Sequence, residues 1–317
     1  MAILSLAADL MTVNLKTLRP DVHVFHGITE LIRHNLSGAP VIDANRNYLG
    51  VFSEKCCMSV FALTAEASAD SSNVPRARDV MAKRLVTLSP NDDVFQAIGV
   101  LLKNRVSGAP VMEGRDGFLG VFSERDSMRV VIDAAYEQLP TSEVRRYINR
   151  DHGREIDEDC SLRELTRIFL DTHYRRLVVV RDGHVVGQIS RRDIIRAEHE
   201  LAGPIEDWER RLLANHDQLQ LSDHDGGILD KYPESNLLAN FMDTRARTVT
   251  EDQDLLSIAQ IFLQTNYRRL PVLRGGKLVG QISRRDVLRA AYGSMHFSEV
   301  SEPTPLFLSA LGDSSTS

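Results

Sequence analysis

Tyr267–Ala291 reads YRRLPVLRGGKLVGQISRRDVLRAA, and its punctuation decides the local fold. Leu270–Leu273 is a short β-rich run. The pair Gly275-Gly276 marks a tight hairpin turn. Lys277–Ile282 is a second strand, and Ser283 opens a helix that begins Arg284, Arg285, Asp286. Upstream, Leu255, Ile258, Ala259, Phe262 and Leu263 recur at helical spacing and form one apolar face. A polar turn at Glu251-Asp252 precedes that helix.

Outward from this stretch the same order recurs three more times. Thr248 to Ala290 has a sister in Glu155 to Ala197, which carries YRRL and an identical VGQISRRD. Thr17 to Val60 and Thr87 to Val130 form a second pair, sharing SGAPV and LGVFSE. Register holds through helix, strands and turn, so the chain is a fourfold repeat. The predicted class is α/β (α+β), in units ordered β-α-β-β-α. One unit has too little core to stand alone. Pairing is therefore expected, first with second and third with fourth. The expected first module is 1–136, with units at about 8–63 and 78–136. A link at 137–154 leads to a second module at 155–293, with units at about 146–201 and 239–293 and an insert at 202–238. Within the insert, Pro204 to Leu213 reads as a helix of mixed charge that packs on the module or, in the alternative, meets a partner. The tail, 294–317, ends in a polar run, although Phe297 and Pro305 to Leu308 suit docking on the body.

Composition narrows the function. The net charge of −6, from 38 basic and 44 acidic side chains, argues against nonspecific nucleic-acid binding. No apolar stretch approaches a membrane span. The opening MAILSLAADLMT has no basic n-region, so no secretory signal is expected. Cys56, Cys57 and Cys160 have neither disulfide-framework nor metal-ligand spacing and read as reduced thiols of a cytoplasmic protein. The ten histidines form no HExxH, and there is no GxxxxGK[ST] or GxSxG. No catalytic residue, metal or catalytic cofactor is expected, and the chain reads as a non-enzyme.

The strand-to-helix junction holds the candidate chemistry. Ser283 and Asp286 recur as Ser190 and Asp193 and as Ser123 and Asp126, whereas the first copy has Ser53 and Cys56. Ser-x-x-Asp before an apolar run is a capping-box pattern that needs no ligand. The same hydroxyl and carboxylate also suit an anion and a vicinal diol at a helix N-terminus. The recurrent glycine before them, such as Gly280, leaves room for a ligand or another strand. Arg175-Arg176 and Arg268-Arg269 begin a strand, and Arg191-Arg192 and Arg284-Arg285 begin a helix. Arginines at a helix N-terminus oppose its dipole. A bound phosphate or an acidic neighbour would offset that. Ser37-Gly38 and Ser107-Gly108 replace the strand arginines in the first two copies, so the two modules are expected to differ in anion affinity.

SGAPV, YRRLPV, LGVFSERD and VGQISRRD together resemble the cystathionine-beta-synthase-type (CBS) domain, and the resemblance covers all four copies. It implies two Bateman modules of two units each, arranged as a disc. It implies a regulatory protein with adenine nucleotides (AMP, ADP or ATP) as ligands, mainly in the C-terminal module. S-adenosylmethionine, or no ligand, is found in other members. A homodimer and an unidentified protein partner are the assemblies it allows. Carried over, Asp126, Asp193 and Asp286 resemble the ribose-binding aspartate, and Ser123, Ser190 and Ser283 the hydroxyl beside it. Arg176 and Arg269 resemble the phosphate-contacting strand arginine. Arg175 and Arg268 stand where some members have histidine, and Arg192 and Arg285 lie at the helix start. Thr87 and Thr248 resemble the threonine before the first helix. The third copy departs with Glu155 and Asp157, whose fourth-copy counterpart is Thr250. Cys56 in place of aspartate counts against binding at the first copy.

Overall fold

Gly275 and Gly276 both adopt positive φ, 56° and 78°, which lets Arg274 and Lys277 pair directly across a two-residue turn. Asp182 and Gly183 do the same in the third unit, at 50° and 78°. The computed structural model describes residues 5–65, 74–114, 117–136, 142–203 and 236–299. Each unit is a helix, an antiparallel hairpin and a second helix. In the fourth these are Leu255–Gln264, Arg269–Arg274, Lys277–Ser283 and Arg284–Glu299. The last helix thus runs six residues into the stretch expected as tail. The expected leading strand is short. It is Val249–Thr250 or Glu155–Asp157, parallel to the hairpin, in the later units. In the earlier ones it shrinks to single parallel bridges, Leu18 to Val41 and Leu88 to Val111. The helix of the insert and Pro305 to Leu308 lie outside the described residues.

The segment leading into each unit does not stay with it. Leu6 and Thr12, ahead of the first unit, pair with Asp254 and Gln281 of the fourth. In return Leu237 and Asp243, ahead of the helix and hairpin of the fourth, pair with His23 and Val51 of the first. The second and third units exchange likewise, through Arg76 to Ser161, Ala82 to Gln188, Asp93 to Glu143 and Val121 to Asn149. The recurrent hairpin glycine makes this possible. A Cβ at Gly280 or Gly187 would run into Met11 or Met81, and at Gly50 or Gly120 into the carbonyl of Asp243 or Asn149. Of the two occupants open from sequence, ligand or strand, the structure places a strand-like segment over all four.

Two apolar cores follow from this exchange. One joins the first and third units, with Phe52, Phe61, Phe169 and Ile194 fully buried and Leu238 and Phe241 of a crossing segment added. The other joins the second and fourth, around Phe122, Met128, Phe262 and Leu288, with Ala7, Val144 and Tyr147 added. Helices make these contacts: Glu54–Ala65 packs on Leu162–Asp171 and Arg191–Ala202, and Glu124–Ala135 packs on Leu255–Gln264 and Arg284–Glu299. Neither core joins first with second or third with fourth, so the expected pairing of adjacent copies is corrected. Each unit has one neighbour across its hairpin and another across its helices, which closes a ring in the order first, fourth, second, third.

The glycine positions test this arrangement. Gly50→Val presses on a backbone carbonyl that cannot rotate away, and is expected to lower the unfolding free energy by about 1–3 kcal/mol. Gly293→Ala, in a helix with open space around it, is expected to hold or raise stability by up to about 1 kcal/mol. Urea unfolding followed by circular dichroism measures both.

Candidate functional site

The Ser-x-x-Asp pairs first do backbone work. In each, one aspartate oxygen (Oδ2) accepts both from the serine amide and from its hydroxyl. The distances are 2.9 and 2.6 Å for Ser123–Asp126, 2.8 and 2.7 Å for Ser190–Asp193, and 2.8 and 2.6 Å for Ser283–Asp286. Burial pushes the Asp126 carboxyl up, against the pull of its bonds to Ser123. The first unit keeps the form without the charge: Ser53 Oγ lies 3.3 Å from Cys56 Sγ, a thiol raised by burial. Thr87 and Thr250 are exposed and Thr248 is half-buried; the Thr250 side chain bonds the neighbouring Asp252.

The arginines that open the last helices have two separate tasks. Arg191 is 3% exposed and donates to the carbonyls of Phe169 and Thr172 at 2.9 and 3.0 Å. Arg284 does the same to Phe262 and Thr265, at 3.0 and 2.9 Å. Each therefore caps the C-terminus of the preceding helix of its own unit, where a cation is favoured. Burial nevertheless pushes both guanidinium groups down to about 10. Their neighbours reach across the helical interface. Arg192 meets Glu54 at 3.1 Å and Asn35 at 2.6 Å, and Arg285 meets Glu124 at 3.2 Å. Arg192 and Arg285 thus have acidic neighbours that offset the helix dipole.

The strand arginines also leave their own units. Arg176 donates to Ser107 at 3.2 Å and to Gln188 at 3.0 Å, and Arg269 donates to Ser37 at 2.8 Å. Arg175 reaches the Asn266 carbonyl at 2.8 Å. Arg268 meets the second oxygen of Glu124 at 3.3 Å. Burial lowers the Arg175 guanidinium well below its ordinary value, and the nearby charges of Arg268 and Arg191 add to the effect.

Arg175, Arg268 and Arg269 converge on one cavity of about 550 Å³. The first unit supplies Ser37, Gly38, Ser53, Lys55 and Cys56 to its wall, and the crossing segment supplies Asn240 to Ala246, including Asp243. His173 and Arg191 come from the third unit, and Asn266, Tyr267 and Gln281 from the fourth. Of the residues the resemblance implies for ligand binding, the cavity brings together Arg175, Arg268 and Arg269. Thr87, Ser123, Asp126, Arg176, Ser190, Arg192, Asp193, Thr248, Thr250, Ser283, Arg285 and Asp286 do not line it. It lies beside the first unit, where Cys56 replaces the aspartate but Glu54 still faces the cavity, and its positive charge comes from Lys55, from Arg245 of the crossing segment, and from Arg175, Arg191, Arg268 and Arg269 of the third and fourth units. A site of this build can hold an anion whose oxygens take several guanidinium N–H donors at once. Among the described residues there is no group of three or more His, Cys, Asp or Glu able to hold a metal ion.

The family model of the CBS domain matches residues 7–62, 77–132, 155–200 and 238–293. The chain belongs to the CBS domain family. Among relatives, this CBS-domain chain is 28% identical over 214 residues to the uncharacterized protein MJ1225 of Methanocaldococcus jannaschii, covering 67% of this chain and 68% of that one. It is 25% identical over 188 residues to the chloroplastic CBS domain-containing protein CBSX2 of Arabidopsis thaliana, covering 49% and 79%. Among solved structures, protein MJ1225 gives a TM-score of 0.38 at 22% identity over 89% of this chain and 98% of that one. CBSX2 in complex with AMP gives 0.36 at 24% over 40% and 97%.

Sequence inspection passed over Glu54 and Glu124, the partners of the helix-start arginines. The signal was present in the two kinds of CBS copy. Units one and two open their last helix with Ser-Glu, and units three and four with Ser-Arg-Arg. The two kinds are charge-complementary, and each helical interface joins one of each. The capping role of Arg284 is testable. Arg284→Met keeps the apolar stem and removes both carbonyl bonds, and is expected to lower thermal stability by about 1.5–3 kcal/mol at the melting midpoint. Scanning calorimetry gives the value.

Proposed function

We propose that this CBS-domain chain is a regulatory protein that binds an adenine nucleotide (AMP, ADP or ATP) and catalyses no reaction. The observation that carries the proposal is the convergence of Arg175, Arg268 and Arg269 on one cavity large enough for a small ligand. A phosphate group satisfies guanidinium donors bidentately, and a partly buried site strengthens the attraction. The AMP in the CBSX2 complex supports the choice of ligand class. S-adenosylmethionine fits less well, since its sulfonium is positive and it has no phosphate to answer the arginines.

Asp126, Asp193 and Asp286 each engage their serine through one carboxylate oxygen. None of these carboxylates lines that cavity, so we assign the other oxygen to a ribose hydroxyl at separate sites of the second, third and fourth units, with Ser123, Ser190 and Ser283 beside the sugar and Arg176 and Arg269 toward phosphate. Thr87, Thr248 and Thr250 belong to the same proposal at the base or sugar, and Arg192 and Arg285 at its edge. Ligand-dependent change in the angle between units would then be read by a protein partner or by a second copy of the chain. Cytoplasmic placement belongs to the proposal too. Among the described residues no helix is long and apolar enough to cross a membrane.

One observation favours a second function, a ligand-free interaction module. Every helix-start serine, aspartate and second arginine named above already has an internal partner. Isothermal titration calorimetry with AMP, ADP and ATP separates the two. Saturable binding is expected, weakened roughly ten- to a hundredfold by Arg268→Ala, the loss of one or two charge-assisted hydrogen bonds. Asp286→Asn is expected to discriminate further, weakening AMP while leaving binding of inorganic tripolyphosphate unchanged. A folded protein indifferent to millimolar nucleotide would leave the interaction module as the function.

A further inference from the structure

Arg268 faces two ways. It lines the cavity built by the first, third and fourth units, and its guanidinium also pairs with Glu124 of the second. Glu124 is not part of the cavity wall. Its carboxylate is 4% exposed and is shared between Arg268, at 3.3 Å through one oxygen, and Arg285, at 3.2 Å through the other. Arg285 does not line the cavity either. One buried carboxylate thus divides itself between an arginine that lines the cavity and one that does not. Arg268 is also the hub of the positive cluster, since its charge acts on Arg175, Arg176, Arg269 and Arg284. A repulsive hub needs a counter-ion, and Glu124 is the carboxylate bonded to it.

We propose that Glu124 is a specificity-determining residue that sets the affinity of the cavity for anions by competing with them for Arg268. The proposal rests on anion binding at the cavity, the chemistry argued under the proposed function. When a phosphate group occupies the cavity, Arg268 divides its donors between phosphate and Glu124. The contact across the second–fourth interface loosens in proportion. Linkage makes the effect mutual: whatever holds Arg268 on Glu124 weakens the anion, and the anion weakens that hold by the same factor. Occupancy of a cavity walled by three units is thereby felt at the interface of the fourth with the second, which supplies no wall residue. The ligand class is an anion with several phosphate oxygens, since Arg175, Arg268 and Arg269 together offer more guanidinium donors than one oxygen can accept from.

Two substitutions outside the cavity carry the test, because they predict opposite signs. Glu124→Gln removes the competing charge, and is expected to tighten binding about fivefold or more, the low end of ordinary coupling between sites. Arg285→Gln removes the other claimant on Glu124, so the carboxylate holds Arg268 more firmly and binding is expected to weaken by a similar factor. Both variants are expected to unfold at lower temperature than the parent, so a purely structural effect would move their affinities in the same direction. The measurement is calorimetric titration of the full chain with inorganic tripolyphosphate and, separately, with ATP. Opposite shifts for tripolyphosphate support the proposal. Equal, same-sign or absent shifts overturn it, as does absence of tripolyphosphate binding to all three proteins. If tripolyphosphate shows the opposite shifts and ATP fails to bind, the competition stands and the nucleotide assignment falls. If ATP binds with one affinity in all three and tripolyphosphate shows no opposite shifts, the nucleotide assignment stands and the competition falls.

Discussion

Close approach of one backbone to another at four glycines is the constraint on which the rest depends. Each hairpin leaves a gap at Gly50, Gly120, Gly187 or Gly280, and a segment from a different unit lies across it. That contact fixes which units face each other through their hairpins. Once the first is bound to the fourth and the second to the third, the remaining apolar helix faces meet as first with third and second with fourth. The cavity sits where these two kinds of contact intersect, which is why three units build its wall.

Charge then distinguishes the interfaces. A Ser-Glu helix start meets a Ser-Arg-Arg start across each helical contact, and an SGAPV serine accepts from a strand arginine across each hairpin contact. Buried ion pairs add little net stability, because desolvation opposes them. Their value here is discrimination. Two like units placed helix to helix would set carboxylate against carboxylate or guanidinium against guanidinium, and such mispairing is disfavoured. The fourfold repeat is thus prevented from assembling in a wrong order that its similar apolar faces would tolerate.

Local structure was legible in the sequence and its assembly was not. Gly275-Gly276 announced a turn because two successive positive φ values suit little else. Ser283 and Asp286 announced a cap for a similarly local reason. The partners of Arg285 and Arg269 lie more than 150 residues away, at Glu124 and Ser37, and no periodicity reports such distances. Arg284 was misread for a different reason. Its place at a helix N-terminus seemed unfavourable, yet its guanidinium serves the opposite end of another helix, a relation visible only in space. The cavity was not legible because Arg269, a strand residue of the fourth unit, crosses to Ser37 of the first.

Exchange between first and fourth units also dictates when the molecule can mature. Residues 6–12 find their hydrogen-bonding partners at Asp254 and Gln281, so nearly the whole chain separates the two halves of that contact. During synthesis residues 6–12 and the hairpin at Val51 stay without these partners until the fourth repeat has emerged. Contacts so remote along the chain make folding slow. During translation the first repeat's exposed apolar helix is a natural target for chaperones.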